Sequence, residues 1–437
     1  MLNLRSAVRG RVLLPGDDDF ANATRPWNLA VEQPVAAVVD AEDADDVAAL
    51  VRYARDNGLA VTAQPSGHGA SGDVDGVILL RTRHLDELRV DADARTARVG
   101  AGVSWGEVLA VSGPLGLTGV PGSSPVVSVA GYSLGGGLSW FGRKYGWAAD
   151  SVTAFDIVDA DGRRARVTAE SDPELFWALR GGGGDFAIVT ALEFDLHPAP
   201  QLYGGRVLWS ADRAPEALAA FREITAGAPD ELTVWADLLH FPGSAPLVAV
   251  DATYLGDPAE GRALLRGLDG IGTPISDSRA AMPIAELGTI AAEPTNPSPG
   301  LSRGELLTEL TDVTVKTLLS EPIRPLLSVQ IRHLGGAFAQ PSDSPHGPLT
   351  EPYAIYLFGI PTTPATAATV RTRQHDLIAS LAPHVGDRKP FTYLAPGENA
   401  ADTFSPGTLT RLQTIKRNRD PHGVFRSNFP VLAGTRD

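Results

Sequence analysis

The chain of 437 residues has no cysteine, carries a net charge of −15 and is 43% hydrophobic, a composition typical of a globular enzyme with two cores. The missing cysteines exclude disulfides, thiolate nucleophiles, Fe–S clusters and Cys-ligated zinc, and the negative charge argues against nucleic acid and membrane surfaces as partners. No stretch reaches the ~20 apolar residues of a membrane span and no signal-peptide pattern opens the chain, so we expect a cytoplasmic protein.

The first half of the sequence predicts short strands alternating with short helices. Apolar residues at helical spacing indicate one helix over residues 43–57 and another over residues 105–111. Ser171 is expected to cap a third helix, which should end at Gly181. The predicted strands are the apolar runs "PVAAVVDA", "LAVTAQ", "GVILLRT", "TARVGAG" and "FAIVTALEFDLHP".

From about Gly204 the sequence predicts a second α+β domain built on one large sheet, with "HPAPQ" before it as a boundary. The strands expected there are "LTVWADLLHF", "LVAVDATYL", "LLSVQIRHLGG" and "YAIYLFGIP". Helices are predicted over residues 258–268, 303–319 and 365–381. Near the C-terminus, "LTRLQTIKRNRD" predicts a helix that stops at Asp420, before a proline.

Two glycine-rich segments lack acidic residues. Glu107 and Asp150 bracket 42 residues without a carboxylate, of which ten are glycine, and residues 57–72 are also free of acids. Main-chain amides that approach a diphosphate need this combination, because glycine permits close contact and carboxylates would repel the anion. The segments therefore favour a nucleotide ligand, although tight packing of turns is an alternative explanation of the glycines.

Two other signals point to a nucleotide or metal site only weakly. Residues 100–106, "GAGVSWG", follow a predicted strand like a dinucleotide fingerprint, but the third glycine comes one residue late and no acid follows at the expected distance. The nine histidines include no pair at metal-ligand spacing, so no metal site is predicted.

A third motif suggests a different class of enzyme. Residues 131–135, "GYSLG", match the nucleophile elbow of a serine hydrolase, with Ser133 as the nucleophile. Asp402 or Asp420 followed by His422 would complete a triad in the chain order of α/β-hydrolases. This interpretation is weakened by Gly136 and Gly137, because the helix that follows a nucleophile elbow would have to begin with these two poor helix formers.

The order of several motifs resembles a known family. They are "QPSGHGASG", "VGAGVSWGEVLA", "PGSSPVVSVAGYSLGGG", "RKYGWAADSV", "LFWALRGGGGDFAIVTALEF", "IRHLGGAFA" and "KRNRDPHGVFRSNFPV". Their sequence is similar to that of bacterial FAD-linked oxidoreductases of the berberine bridge enzyme-like group, in the vanillyl-alcohol oxidase/PCMH superfamily. The resemblance spans nearly the whole chain.

The resemblance implies an α+β, two-domain PCMH-type FAD-binding fold. Residues 28–200 would form the FAD-binding domain and residues 201–395 the substrate-binding domain, built on a large antiparallel sheet flanked by helices. Residues 396–437 would return to the FAD-binding domain.

The same resemblance implies which residues hold FAD. His68 matches the covalent anchor, in which an imidazole nitrogen bonds the 8α-methyl carbon of the flavin. Ser124 occupies the position of a second, cysteinyl link in other members, so attachment should be single. The further cofactor-binding residues are Ser66, Gly67, Gly69, Ala70, Gly72, Pro121, Gly122, Ser123, Val127, Gly131, Tyr132, Gly135, Ile188, Val189 and Asn428.

The resemblance also implies a reaction, namely hydride transfer from a small organic substrate to FAD. Val127 matches the position that controls oxygen access, and valine there is usual in oxidases, so O₂ is the expected acceptor and H₂O₂ the product. An FAD-dependent dehydrogenase with another acceptor is the alternative.

The catalytic residues depart from the family pattern. Leu138 and Ala395 stand where many members have tyrosine and asparagine, which leaves Tyr393 as the expected base or substrate-orienting residue and Arg332 as its cationic helper. A core tyrosine is the alternative reading of Tyr393. The departures weaken the case for sugar or alcohol oxidation and favour a carbon beside an amine or an activated ring carbon.

Overall fold

The N-terminal part of the protein contains two sheets and a two-stranded ribbon; the computed structural model describes residues 3–432. The strands are β1 (Arg11–Leu13), β2 (Ala37–Asp40), β3 (Val61–Ala63), β4 (Ile78–Arg81), β5 (Leu88–Asp91), β6 (Thr96–Gly100), β7 (Leu117–Thr118), β8 (Val152–Val158), β9 (Arg164–Val167), β10 (Ile188–Asp195) and β11 (His197–Pro198). The first sheet has the order β1-β2-β4-β3, with β2 and β3 parallel to β4, and the second is antiparallel with the order β5-β6-β10-β8-β9. All of β2 is buried, which explains why its apolar run is continuous rather than alternating.

Short helices connect these strands. They are α1 (Leu4–Ala7), α2 (Phe20–Ala23), α3 (Ala44–Asp56), α4 (Trp105–Ser112), α5 (Val129–Leu134), α6 (Gly142–Tyr145) and α7 (Pro173–Leu179). The expectation that Ser171 caps α7 is wrong, because Asp172 accepts the N–H of Leu175 while the Ser171 hydroxyl belongs to the preceding turn at Thr168. A carboxylate in the following position supplies the cap instead.

The second half of the chain forms one large antiparallel sheet. Its strands are β12 (Tyr203–Ser210), β13 (Leu232–Leu239), β14 (Leu247–Tyr254), β15 (Ser276–Asp277), β16 (Ala280–Ala281), β17 (Leu301–Leu307), β18 (Ser328–His333) and β19 (Tyr353–Gly359). The order is β15-β12-β14-β13-β18-β19-β17, and β16 also pairs with β12. The sequence predicts one large sheet here and the resemblance implies that it is antiparallel, and both expectations are confirmed.

Four helices accompany the large sheet: α8 (Ala214–Ala226), α9 (Pro258–Leu264), α10 (Asp312–Leu319) and α11 (Pro364–Ser380). The helix predicted over residues 303–319 is wrong in its first part. Residues 301–307 form β17, which pairs along its length with β19, and the helix starts only after Thr311, whose side chain caps it. The apolar residues of this segment have a spacing that permits a helix or a strand. Pairing with the buried strand β19 stabilises the strand.

The C-terminal segment packs on the N-terminal sheets. Helix α12 (Pro406–Arg419) ends at Asp420, as the sequence predicts. The chain then runs beside β3, where Val61 donates its N–H to Val424 O at 2.7 Å and accepts from Arg426 N at 3.0 Å. One core contains residues between Leu4 and Leu196 together with residues between Ala400 and Val431, and another lies between Tyr203 and Leu381. Within residues 3–432, no helix is both long and apolar enough to cross a bilayer.

Candidate active site

His68 lies in the loop after β3, stacked on an indole ring. The ring centroids of Trp27 and His68 are 4.4 Å apart, with 19° between the planes. Ser66 Oγ lies 2.8 Å from His68 Nδ1, whereas the buried Nε2 has no hydrogen-bond partner in residues 3–432. Burial lowers the pKa of His68 to about 4, so the imidazole is neutral at neutral pH. A neutral ring with a free nitrogen is a competent nucleophile.

The backbone around His68 is open to a ligand. Gly67 has φ +79°, and a Cβ added to it would lie 2.9 Å from the Cα of Pro26. A larger residue would therefore be strained at this position. The space beside Gly69 is free apart from Asn428 Nδ2 at 4.0 Å. Within the described chain, the N–H groups of Gly67, His68 and Gly69 donate no hydrogen bond. Unpaired amides in succession form an anion-binding surface.

A second loop, residues 121–127, has the same character. Pro121 O is fixed by the N–H of Trp140 and the hydroxyl of Ser139. The amides of Gly122, Ser123 and Ser124 donate to no group in residues 3–432, and the buried Ser124 Oγ also lacks a partner there. The loop ends at Val127, which accepts the N–H of Trp105 and is partly exposed.

Helix α5 and the glycines after it adjoin the second loop. The Tyr132 ring lies against Gly122 and Gly137, and its buried hydroxyl has no well-formed hydrogen bond among the described residues. Gly131 donates its N–H to the capping Ser128, and Gly135 ends the helix.

The remaining predicted cofactor residues lie near these loops or on β10. Ile188 and Val189 are buried in β10, opposite Val158 and Ile157 of β8. Ala70 is buried and Gly72 has φ +83°. Asn428 reaches the His68 loop from the C-terminal segment, where Gln64 Nε2 donates to Asn428 Oδ1 at 2.9 Å.

The two predicted catalytic residues, Tyr393 and Arg332, lie together at the sheet. The Arg332 guanidinium carbon is 4.1 Å from the ring centroid of Trp235, 5.2 Å from that of Tyr356 and 5.7 Å from that of Tyr393. Burial raises the pKa of Tyr393 and the charge of Arg332 opposes this. The buried Tyr393 hydroxyl faces the guanidinium without a well-formed hydrogen bond.

One face of the large sheet carries polar and aromatic residues. Residues directly opposite in neighbouring antiparallel strands share a face, and the register pairs Trp235 with Arg332 and Asp237 with Gln330. The intervening residues of these strands belong to the apolar core on the helical side. Trp235 stacks on Trp140 at 3.5 Å, and Trp140 donates its N–H to Pro121 O, so the polar face looks toward the loop around Pro121.

The unpaired groups of this region fit FAD. Main-chain amides of two loops suit a diphosphate, and the free nitrogen of His68 and hydroxyls of Tyr132 and Ser124 require a partner that the described protein does not supply. Among residues 3–432, no group of three or more acidic or histidine residues is placed to hold a metal ion.

The competing motifs have structural explanations. A Cβ on Gly100 or Gly102 would lie 2.1 Å from Leu85 O or 2.4 Å from Thr82 O, so both glycines serve backbone packing rather than a dinucleotide. Ser133 is 1% exposed within α5.

The hydrolase triad is also not assembled. Asp420 binds Lys416 and the N–H groups of Val424 and Phe425, and His422 is exposed on the surface. Asp402 accepts the N–H of Asn399 at a helix start.

Several residues of the site escaped the sequence analysis. Trp27, Gln64, Trp140 and Trp235 contact the predicted site residues from distant parts of the chain. Only Trp140 lies near a motif, three residues after the triple-glycine run.

Comparison with known proteins agrees with this geometry. Residues 35–168 match the family model described as FAD binding domain. The chain is 28% identical to (R)-6-hydroxynicotine oxidase of Paenarthrobacter nicotinovorans, with 97% of each chain covered. The fold is similar to that of 6-hydroxy-D-nicotine oxidase from Arthrobacter nicotinovorans (TM-score 0.85, 24% identity, 98% of each chain covered). It is also similar to the berberine bridge enzyme-like protein 1 of Physcomitrella patens (TM-score 0.84, 18% identity, 98% of each chain covered).

The fold and the site together define a flavoprotein oxidoreductase with a PCMH-type FAD-binding domain. Residues 35–168 form the FAD-binding domain, and the whole chain has the fold of the berberine bridge enzyme-like FAD-linked oxidoreductases.

Proposed function

We propose that this enzyme is an FAD-dependent oxidase of a small organic substrate, with the flavin bound covalently and singly through His68. The observation that carries the proposal is the neutral imidazole on Trp27, with a free buried nitrogen at the end of a loop of unpaired amides. The stack fixes the ring plane, and the small neighbours Gly67 and Gly69 leave its edge accessible. The chain has no cysteine for a second link.

The protein's part in cofactor binding follows from the two loops. The amides at residues 67–69 and 122–124 would hold the diphosphate, and the hydroxyl of Tyr132 and the amide of Asn428 would bind polar groups of the cofactor. The supporting positions are Ser66, Ala70, Gly72, Pro121, Val127, Gly131, Gly135, Ile188 and Val189.

The redox step removes a hydride and a proton from the substrate. FAD would supply the acceptor for this hydride when bound, and O₂ would then take up the two electrons and two protons to give H₂O₂. Val127, small and partly exposed at the end of its loop, leaves room for O₂. A dehydrogenase with another acceptor is the competing form of the same proposal.

Tyr393 and Arg332 orient the substrate in this proposal. Because burial raises the pKa of Tyr393, its phenol is protonated at neutral pH and donates a hydrogen bond rather than accepting the substrate's proton. The aromatic rings around Arg332 hold its guanidinium in place and shield it from water.

Two measurements test the proposal: whether the flavin is covalently attached, and whether O₂ reoxidises the reduced enzyme. Purified protein should be yellow, acid precipitation should leave the colour in the pellet, and His68→Ala should release the flavin into the supernatant. His84→Ala, at an exposed loop histidine, is the matched control and should keep the bound colour.

A peroxide-coupled screen of amines, hydroxylated heterocycles and oligosaccharides then identifies the substrate class. Reduced enzyme that reoxidises slowly in air and rapidly with a dye would contradict the oxidase assignment. A colourless protein that binds no FAD would contradict the whole proposal.

A further inference from the structure

Arg332 presents its guanidinium on the polar face of the large sheet. It stands opposite Trp235 in the register of β13 and β18, and its guanidinium carbon lies 4.1 Å from the centroid of that indole ring. Trp235 in turn stacks on Trp140, whose N–H donates to Pro121 O. The two stacked indoles therefore connect Arg332 to the loop that is proposed to hold FAD.

Two tyrosine rings bound the same guanidinium. The ring centroids of Tyr356 and Tyr393 lie 5.2 and 5.7 Å from its central carbon. Both rings pack in one cluster with Leu138, the residue after the triple-glycine run. Tyr393 is buried, whereas Arg332 and Tyr356 keep part of their surface exposed, so the enclosure is open to a small ligand.

Only one edge of the Arg332 guanidinium is used by the protein. Its Nε donates to Gln330 Oε1 at 2.6 Å. Within residues 3–432, Nη1 and Nη2 make no well-formed hydrogen bond, and no carboxylate oxygen lies within 4.0 Å of the guanidinium nitrogens. The ring of Trp235 covers a face of the guanidinium and leaves the outer edge free. That edge is the planar fork with which arginine binds a carboxylate through two parallel hydrogen bonds.

Two other arginines with little exposure show how the fold normally satisfies such a group. Arg206 binds both oxygens of Asp251, at 2.6 and 2.7 Å. Arg143 donates to Leu232 O at 2.9 Å and to further main-chain carbonyls. Arg332 differs from both, because its outer edge has no acceptor in the part of the chain that the structure describes.

The acidic residues nearby do not fill this position. Asp237 accepts from Ser328 Oγ at 2.7 Å. Burial lowers the pKa of Arg332, but Tyr393 and Glu293 outweigh this effect, so the guanidinium stays charged. Neither Asp237 nor Glu293 forms an ion pair with it in residues 3–432. A charge in an enclosure of rings is therefore left without a counter-ion, which buried charges normally have.

A second donor meets the guanidinium at this place. The buried hydroxyl of Tyr393 faces Arg332 and has no well-formed hydrogen bond among the described residues. Because burial raises the pKa of Tyr393, its phenol is protonated at neutral pH and donates. Two donors, one of them a cation, face the same space without an acceptor. Such a pair requires an anionic oxygen ligand.

We propose that Arg332 and Tyr393 form a carboxylate-binding site, and that the substrate is a small organic acid. Its carboxylate accepts the Nη N–H groups of Arg332 and the hydroxyl of Tyr393. The carboxylate orients the substrate, and the carbon that loses the hydride lies elsewhere in the same molecule. The proposal rests on the proposed flavoenzyme function and names its substrate class.

Two probes of similar shape test this proposal on the holoenzyme: benzoate, which is an anion at pH 7.5, and benzamide, which is neutral. Their dissociation constants come from the change in flavin absorbance on binding. Wild-type enzyme should bind benzoate at least about tenfold more tightly than benzamide. Arg332→Met should lose about tenfold or more in benzoate affinity and leave that for benzamide within about twofold.

Two variants control for charge and for structure. Arg332→Lys keeps the charge without the fork and should retain part of the preference for benzoate. Arg371→Met removes an exposed guanidinium of α11, a helix whose buried residues pack on the opposite face of the sheet, and should behave as wild type. If Arg332→Met does not fold, the wild-type ratio and Arg332→Lys decide the question.

Two results would overturn the inference. One is wild-type enzyme that binds benzoate no more tightly than benzamide. The other is an unchanged preference for benzoate in Arg332→Met, and a shifted flavin reduction potential in that variant would then assign the guanidinium to the cofactor. Both results leave the flavoenzyme proposal intact. Wild-type protein without flavin would instead overturn the proposed function.

Discussion

Replacing Lys416 by methionine should loosen the C-terminal segment that carries Asn428. Lys416 Nζ donates to Asp185 O and Phe425 O at 2.7 Å each and to Asp420 Oδ2 at 2.8 Å. Methionine keeps the apolar stem but leaves the Asp185 and Asp420 side chains, 1% and 0% exposed, without their cation. Breaking a buried ion pair by removing one partner costs about 3–5 kcal/mol.

We expect the lower end of that range, because both carboxylates keep main-chain donors. Asp420 accepts from Val424 and Phe425, and Asp185 from Ser427 and Val431. A loss of about 3 kcal/mol lowers Tm by roughly 6–12 °C for a unit of some 200 residues.

The assay is thermal unfolding of the holoprotein followed by tryptophan fluorescence, together with flavin content after gel filtration. Lys316→Met, at an exposed position of α10, is the matched control and should stay near wild type. A Lys416→Met protein that melts within 2 °C of wild type with full flavin content would refute the assignment of Lys416 as the clamp of the tail.

Three further outcomes are expected. Tyr393→Phe should keep bound flavin while kcat/KM falls by roughly tenfold, the effect of one lost hydrogen bond to the substrate, and an unchanged kcat/KM would make Tyr393 a packing residue only. Trp27→Ala should bind FAD but attach it more slowly, measured as acid-stable flavin against time after adding FAD to apoprotein; equal rates would exclude a role for the stack. Burial lowers the pKa of His346 to about 3, below the unfolded value of about 6.5, so the unfolded chain binds the extra proton and stability falls as pH drops below 6.5, by roughly 2 kcal/mol at pH 5. His346→Gln should therefore show a smaller loss of Tm between pH 7.5 and pH 5 than wild type, and an equal loss would contradict this origin.

The regular elements could be predicted from the sequence where one signal dominated. Helix α3 has both apolar spacing and the capping Asp43, and it begins and ends within a residue of expectation. The segment from residue 301 to 319 carried helical spacing throughout, yet its first part joined the sheet because β19 offered a full row of partners. The sequence contains no local sign of that pairing. The boundaries of the two domains stay a prediction, although the division into two cores lies close to them.

The site was predictable only where a residue stood in a motif. His68 and the glycines near it stood out because their loop is poor in side chains. Trp27 and Gln64 have no such signal, because their contacts depend on chain segments that meet only in the folded protein. Gln64 and Asn428, for example, are 364 residues apart and share a hydrogen bond of 2.9 Å. Local spacing holds no information about such a contact.

The glycines that suggested a nucleotide ligand prove to have two different causes. A Cβ on Gly136 would lie 2.9 Å from the buried His346 ring, and one on Gly137 would lie 2.5 Å from the Tyr132 ring, and both residues have positive φ. Packing alone therefore requires these two glycines. Gly69 has no such neighbour, and its N–H donates to no group in the described chain. Packing does not account for Gly69, so the His68 loop, rather than the more conspicuous triple-glycine run, indicates a cofactor.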